Sequence, residues 1–93
     1  MTDGVSPSAR PKLARHVRLS YDRTRERHVL LHPETVVMLN PTGADILELC
    51  DGERTVAEIV EVLHARYDRV VDDEVAGFLA RLLARRCVEI TDG

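Results

Sequence analysis

The side chains that most often perform chemistry are few in this sequence, and none forms a known catalytic or metal-binding pattern. The histidines lie on different predicted elements without a His-Glu-x-x-His spacing, and the cysteines form no Cys-x-x-Cys pair. There is no glycine-rich phosphate loop or nucleophile elbow. These residues are His16, His28, His32, His64, Cys50 and Cys87. We therefore expect no catalytic residue, metal or cofactor, and we interpret the cysteines as reduced thiols in the core of a cytoplasmic protein.

Main-chain hydrogen bonding at a strand edge is the chemistry that remains. A strand with one face in water alternates apolar and polar residues. The segment TVVMLN does not alternate, because Val36, Val37, Met38 and Leu39 are consecutive apolar residues. An edge strand of this kind can pair with an extended peptide through its unpaired N–H and C=O groups, which is β-augmentation. We expect the docking edge to lie around Val37 and Met38.

A second apolar excess lies on the third predicted helix, residues 73 to 86. On a helical wheel its apolar arc spans about 200°, whereas packing on one core requires about 100°. Ala76 and Ala80 would allow another chain to approach closely, and Leu83 would supply an apolar wall. If strand and helix are neighbours, they form a groove. A foreign peptide, a second copy of the chain, or the chain's own tail CVEIT are the alternative occupants.

The elements that must position this groove follow from periodicity and capping signals. HVRLSYD, RHVLLH and TVVMLN are typical of three strands joined by tight turns. Asn40 before Pro41, Thr55 with Glu58, and Asp72 mark the starts of three helices. The order predicts an α+β, winged helix-turn-helix-like fold, with a three-stranded antiparallel sheet followed by three helices. We expect residues 1–15 to be a flexible lead-in and residues 16–93 to form the domain.

Length and charge argue against several other classes of protein. The 93 residues suffice for one core, and no apolar run reaches the roughly 18 to 20 residues that span a bilayer, so we expect no membrane association. Residues 28–93 hold 6 Lys and Arg against 13 Asp and Glu. The third helix begins with acidic residues, which would repel phosphates. A winged-helix DNA-binding protein is therefore a lower-ranked alternative, below a self-associating structural subunit of a biosynthetic complex.

Two segments carry a resemblance to a known family. RLSYDRTRERHVLLHPE, residues 18–34, and LNPTGADILELCDGERTVAEIV, residues 39–60, resemble the PqqD family of pyrroloquinoline quinone biosynthesis, over a span of about Arg15 to Ile90. The family is similar to the peptide-recognition domains of ribosomally made, modified peptide pathways. The resemblance implies a non-enzymatic peptide chaperone that binds the precursor peptide PqqA and presents it to the radical S-adenosylmethionine enzyme PqqE.

The resemblance also implies where that peptide docks. In related domains the leader peptide adds to the third strand and packs against the third helix. Carried over to this chain, the docking residues are Thr35, Val36, Val37, Met38, Leu39, Ala76, Leu79, Ala80 and Leu83. Domains of this kind can pair with themselves, so both a monomer and a homodimer remain open.

Overall fold

Three strands that follow one another in the sequence form an antiparallel sheet in the order β2–β3–β4. A computed structural model describes residues 5–91 of the chain. In it β2 spans Arg18–Asp22, β3 spans Arg27–His32 and β4 spans Thr35–Met38. Three helices follow, so the predicted α+β architecture is confirmed. Because β3 lies in the centre, β4 is one edge of this sheet.

The register of β3 and β4 determines which side chains face the core. Leu30 pairs with Val37, and Val29 pairs with Met38. Leu30 is completely buried in the core, and half-buried Val37 packs against the same cluster. Since side chains alternate along a strand, Val36 and Met38 lie on the opposite, outer face of the sheet. They are 50% and 41% exposed there.

The three helices are α1 (Pro41–Glu48), α2 (Val56–Tyr67) and α3 (Asp72–Ala84). The Asn40 side chain caps α1 by accepting the N–H of Gly43 at 2.7 Å. Thr55 and Glu58 form the predicted capping box of α2, with reciprocal hydrogen bonds of 3.1 and 2.8 Å. Within residues 5–91, no helix is long and apolar enough to cross a membrane.

The prediction that Asp72 caps the third helix is wrong. Val71 occupies the N-cap position and gives no side-chain hydrogen bond, while Asp72 is already the first helical residue. Asp72, Asp73 and Glu74 form the first turn. Carboxylates there interact favourably with the positive end of the helix dipole, so the acidic run stabilises this helix start without capping it.

A second, two-stranded sheet joins the two ends of the described chain. β1 (Arg10–Leu13) pairs antiparallel with β5 (Val88–Thr91). β1 lies inside the segment predicted as a flexible lead-in, and the carbonyls of Pro7 and Ala9 accept N–H groups of the first turn of α2 at 3.0 and 2.9 Å. β5 contains the VEIT of the tail. It pairs with β1 and therefore does not cover the edge of β4.

The core is built from aliphatic side chains of all three helices and the central strand. The largest fully buried residues include Leu30, Ile46, Ile59, Leu63, Val75 and Leu79. The half-buried Tyr67 at the end of α2 donates its hydroxyl to the Asp45 carboxylate on α1. Burial, followed by this carboxylate, raises the pKa of Tyr67. These contacts hold the three helices together around the core.

The two cysteines are free and buried, as predicted. Burial, with a smaller contribution from Asp51, raises the pKa of the Cys50 thiol to about 12 from an ordinary value of 9.0. Only the thiolate is nucleophilic, so iodoacetamide at pH 8 should modify Cys50 roughly a thousandfold more slowly in the native protein than in urea. Mass spectrometry of the cysteine-containing peptides measures both rates, and equal rates would contradict the burial.

The same raised pKa has a consequence for stability at alkaline pH. The folded protein retains the Cys50 proton that the unfolded chain releases. The corresponding stabilisation is complete below pH 9, and it is lost as pH rises towards about 12.

Candidate functional site

A groove of about 500 Å³ lies between β4 and α3. Its floor and walls are mainly apolar, and two arginines on α3 supply its charge. The lining residues are Val37, Met38, Leu39, Asn40, Phe78, Arg81, Leu82, Ala84 and Arg85. The structure thus brings together the strand and the helix on which the sequence showed an apolar excess.

The backbone of β4 presents hydrogen-bonding groups along this groove. The N–H of Leu39 donates to the carbonyl of His28 at 3.1 Å, which continues the β3–β4 register by one residue pair. Hydrogen-bonded pairs alternate in an antiparallel ladder, so Val37 also directs its N–H and C=O towards β3. The same groups of Val36 and Met38 point away from β3. Within residues 5–91 no strand pairs with that side of β4.

The Arg27 side chain marks the end of this ladder. Its guanidinium donates to the carbonyl of Leu39 from Nη2 at 3.1 Å and from Nε at 3.3 Å. The carbonyl of Leu39 is therefore already bonded on the β3 side. The edge that can accept another strand extends along β4 and ends before α1.

Phe78 forms the wall where α3 meets the start of α1. A Cβ atom placed on Gly43 would lie 2.9 Å from Cε1 of Phe78, closer than carbon atoms normally approach. The glycine therefore lets the aromatic ring lie against α1, and the ring remains half-buried at the groove. Phe78 gives the helix side its apolar surface, and Leu82 beside it is a buried core residue, 3% exposed.

The two ends of α3 differ in charge. Asp72, Asp73 and Glu74 form its first turn, whereas Arg81 lies in its last turn and Arg85 is the C-cap residue. Arg81 and Arg85 are the charged residues among those that line the groove. Although the whole chain carries a net charge of −3, the groove itself is positively charged.

The residues predicted for the site fall into different environments. Val37, Met38 and Leu39 line the groove, and Thr35 and Val36 continue the same strand as exposed residues. Leu79 is completely buried in the core and supports α3 from inside. A role in peptide binding stays a prediction for all of these residues.

The other predicted helix residues lie away from the groove lining. Ala76 lines a separate concavity with Val5, Pro7 and Val56, where the N-terminal segment passes over α2 and α3. Ala80 and Leu83 are half-buried on α3, and Leu83 packs against the core.

Sequence reasoning missed the helix residues that do line the groove. Phe78, Leu82 and Arg85 follow one another at helical spacing, with Arg81 beside them. The helical wheel assigned Phe78 and Leu82 to the apolar stripe that packs in the core. Only the position of β4 shows that this side of the stripe lies along the groove.

A second concavity, between the β2–β3 hairpin and α1, has about 490 Å³, but its two arginines already have partners within the domain. Arg25 pairs with Asp22 at 2.9 Å, and Arg27 donates to the Leu39 carbonyl as described above. His28 lies 4.0 Å from Glu48 and packs edge-on against Tyr21. In the described part of the chain, no three metal-ligating side chains cluster. The β4–α3 groove is therefore the stronger candidate site.

The class of protein follows from a solved structure with the same fold. That structure is the solution NMR structure of a PqqD truncation of Methylobacterium extorquens PqqCD, described as a stand-alone recognition element for ribosomally synthesised and post-translationally modified peptides. It aligns with a TM-score of 0.79 and 35% identity, over 96% of this chain and 99% of the other. The fold is thus that of a peptide recognition element.

The family follows from the sequence. Residues 27–88 match the sequence profile of "Coenzyme PQQ synthesis protein D (PqqD)". This chain belongs to the PqqD family.

Several relatives carry names that concern the same pathway. The "PqqA binding protein" of Rhodopseudomonas palustris strain TIE-1 is 49% identical over 68% of this chain and 62% of its own length. That of Rahnella aquatilis is 36% identical over 84% of both chains. The "Bifunctional coenzyme PQQ synthesis protein C/D" of Methylorubrum extorquens strain AM1 is 37% identical over 85% of this chain and 22% of its own length. This chain therefore covers less than two thirds of the first and third of these relatives.

Proposed function

We propose that this chain binds the precursor peptide PqqA and presents it to the radical S-adenosylmethionine enzyme PqqE, without catalysing a step itself. The observation that carries the proposal is the edge of β4, with which no strand of residues 5–91 pairs, beside an apolar groove. Family membership and the relatives named PqqA binding protein support it.

In this proposal PqqA adds to the sheet as a strand beside residues 35–39. The outward N–H and C=O groups of Val36 and Met38 would supply the main-chain hydrogen bonds. On the helix side, Phe78 would contact an apolar side chain of the peptide. Leu79 would hold α3 in place from within the core.

Two substitutions on α3 distinguish this docking face from the one predicted by the sequence. We expect Phe78→Ala to weaken PqqA binding by roughly tenfold, because a partly buried aromatic wall is lost. We expect Ala80→Arg to leave the affinity within about twofold, because Ala80 does not line the groove. Isothermal titration calorimetry measures both. The opposite pattern would move the docking face to the Ala76–Ala80 side of α3.

Presentation to PqqE needs a separate test. We expect PqqE to modify PqqA faster when this chain is present, and the Phe78→Ala variant to give a smaller increase. If PqqA binds but the rate with PqqE is unchanged, the presentation step fails while peptide binding stands.

Self-association is the second candidate function, because the same exposed edge could pair with a second copy of the chain. Light scattering during size-exclusion chromatography measures the mass with and without PqqA. A dimer that PqqA converts to monomers would place self-association at the same groove. A dimer unaffected by PqqA would place it elsewhere.

A further inference from the structure

The two arginines of the groove differ in their surroundings from three other arginines of the domain. Arg25, Arg54 and Arg69 each pair with a carboxylate of the domain at 2.9 Å. Within residues 5–91, the side chains of Arg81 and Arg85 have no such carboxylate, although both line the groove. Two cationic side chains therefore line the groove in which an added strand would lie.

Their spacing matches the repeat of an extended chain. Arg81 and Arg85 are four residues apart on a helix, which separates their Cα atoms by about 6 Å along the axis. In a strand, side chains two residues apart point to the same face and are about 6.6 Å apart. A strand lying along α3 can therefore direct one side chain to each guanidinium.

The residues of the added strand that alternate with those directed to the arginines place their side chains on the outer face of the sheet, where a different chemistry is favourable. Val36 and Met38 are exposed there, and their neighbour Val29 on β3 is buried. An added strand would place alternate side chains directly beside Val36 and Met38. Apolar side chains at those positions would form favourable cross-strand contacts.

We propose that the groove selects an extended peptide segment in which two acidic residues, separated by one apolar residue, face Arg81 and Arg85. This inference rests on the proposed function, since it assumes strand addition at β4. It specifies which types of residue the bound peptide segment carries. Guanidinium groups form strong charge-assisted hydrogen bonds with carboxylates, which would fix the register of the peptide along the groove.

The test uses synthetic seven-residue peptides beside PqqA itself. The acidic peptide alternates four valines with one leucine and two glutamates (Val-Leu-Val-Glu-Val-Glu-Val), and the matched neutral peptide has glutamine in place of each glutamate. We expect the acidic peptide to bind about tenfold more tightly in 50 mM salt, because two exposed ion pairs are gained. In 1 M salt the difference should fall below about threefold, since charges are then screened within about 3 Å.

Matched variants assign the effect to the groove. In the double variant Arg81→Gln/Arg85→Gln, the two peptides should bind equally. Arg15→Gln/Arg23→Gln removes the same charge from exposed positions outside the groove lining, and it should retain the tenfold preference. Circular dichroism shows whether each variant is folded, and amide NMR shifts at Val36 and Met38 report docking at the edge.

The outcomes separate the two proposals. If PqqA binds but the acidic and neutral peptides bind equally to the unchanged protein, the selection of acidic residues is wrong and the proposed function stands. If the acidic peptide binds through Arg81 and Arg85 but PqqA does not bind, the groove chemistry stands and PqqA is the wrong ligand. If neither PqqA nor the peptides bind, both proposals fail.

Discussion

Met38→Pro should weaken the binding of PqqA by roughly ten- to hundredfold while the helices remain folded. The N–H of Met38 points away from β3, so proline removes a hydrogen bond to the added strand and none from the β3–β4 ladder. A buried peptide carbonyl left without a donor costs about 1–3 kcal/mol, which corresponds to that loss of affinity. Proline also favours an extended preceding residue, and Val37 is already extended in β4. Isothermal titration calorimetry measures the affinity.

Two controls make this result specific to the strand edge. Met38→Ala keeps the N–H and removes only a partly exposed side chain, so we expect no more than about a fivefold loss. Val37→Pro removes a bond directed towards β3 and should reduce the stability of the domain itself. If a folded Met38→Pro variant binds PqqA with unchanged affinity, docking at the edge of β4 is refuted.

Leu79→Ala should lower the free energy of unfolding by about 3 kcal/mol. Leu79 is completely buried, and truncation of such a leucine removes apolar contacts and leaves a cavity. Domains of this size are stable by only about 5–15 kcal/mol, so the variant loses a large share of its stability. Its melting temperature should fall by more than about 10 °C. Urea denaturation followed by circular dichroism gives the free energy.

The same variant tests whether Leu79 contacts the peptide. Below its melting temperature, folded Leu79→Ala protein should bind PqqA within about threefold of the unchanged protein, since the side chain does not line the groove. Glu61→Ala, at an exposed position of α2, serves as the control and should change the stability by less than about 0.5 kcal/mol. A small loss of stability combined with a large loss of affinity would instead make Leu79 a binding residue.

Local signals in the sequence predicted the elements around the site. Asn40 before Pro41 and the pair Thr55 and Glu58 act within one helical turn, so their effect does not depend on distant residues. The unbroken apolar run at 36–39 likewise indicated a strand with apolar residues on both faces. The β1–β5 pairing was not predictable in this way, because it joins residues about 80 positions apart.

The helix face of the site shows why periodicity was insufficient. A helical wheel gives the width of the apolar arc on α3 but not which neighbour covers each part of it. In the structure the N-terminal segment lies near Ala76, the core surrounds Leu79, and the groove lies beside Phe78. Each neighbour comes from a part of the chain distant in sequence.

The sequence by itself determined the order of β2, β3, β4 and the three helices, the caps of α1 and α2, the cysteines as buried thiols, and β4 as a strand with excess apolar surface. Periodicity and capping contain this information because they depend on residues a few positions apart. Only the tertiary structure decided that no strand of residues 5–91 pairs with the outer edge of β4, that Val36 and Met38 direct their backbone groups outwards, and that Arg81 and Arg85 line the groove. The physical reason is that hydrogen bonds in a sheet alternate from residue to residue. The pairing with β3 determines which residues of β4 direct their backbone N–H and C=O groups outwards. The packing of α3 determines which side chains lie next to that edge.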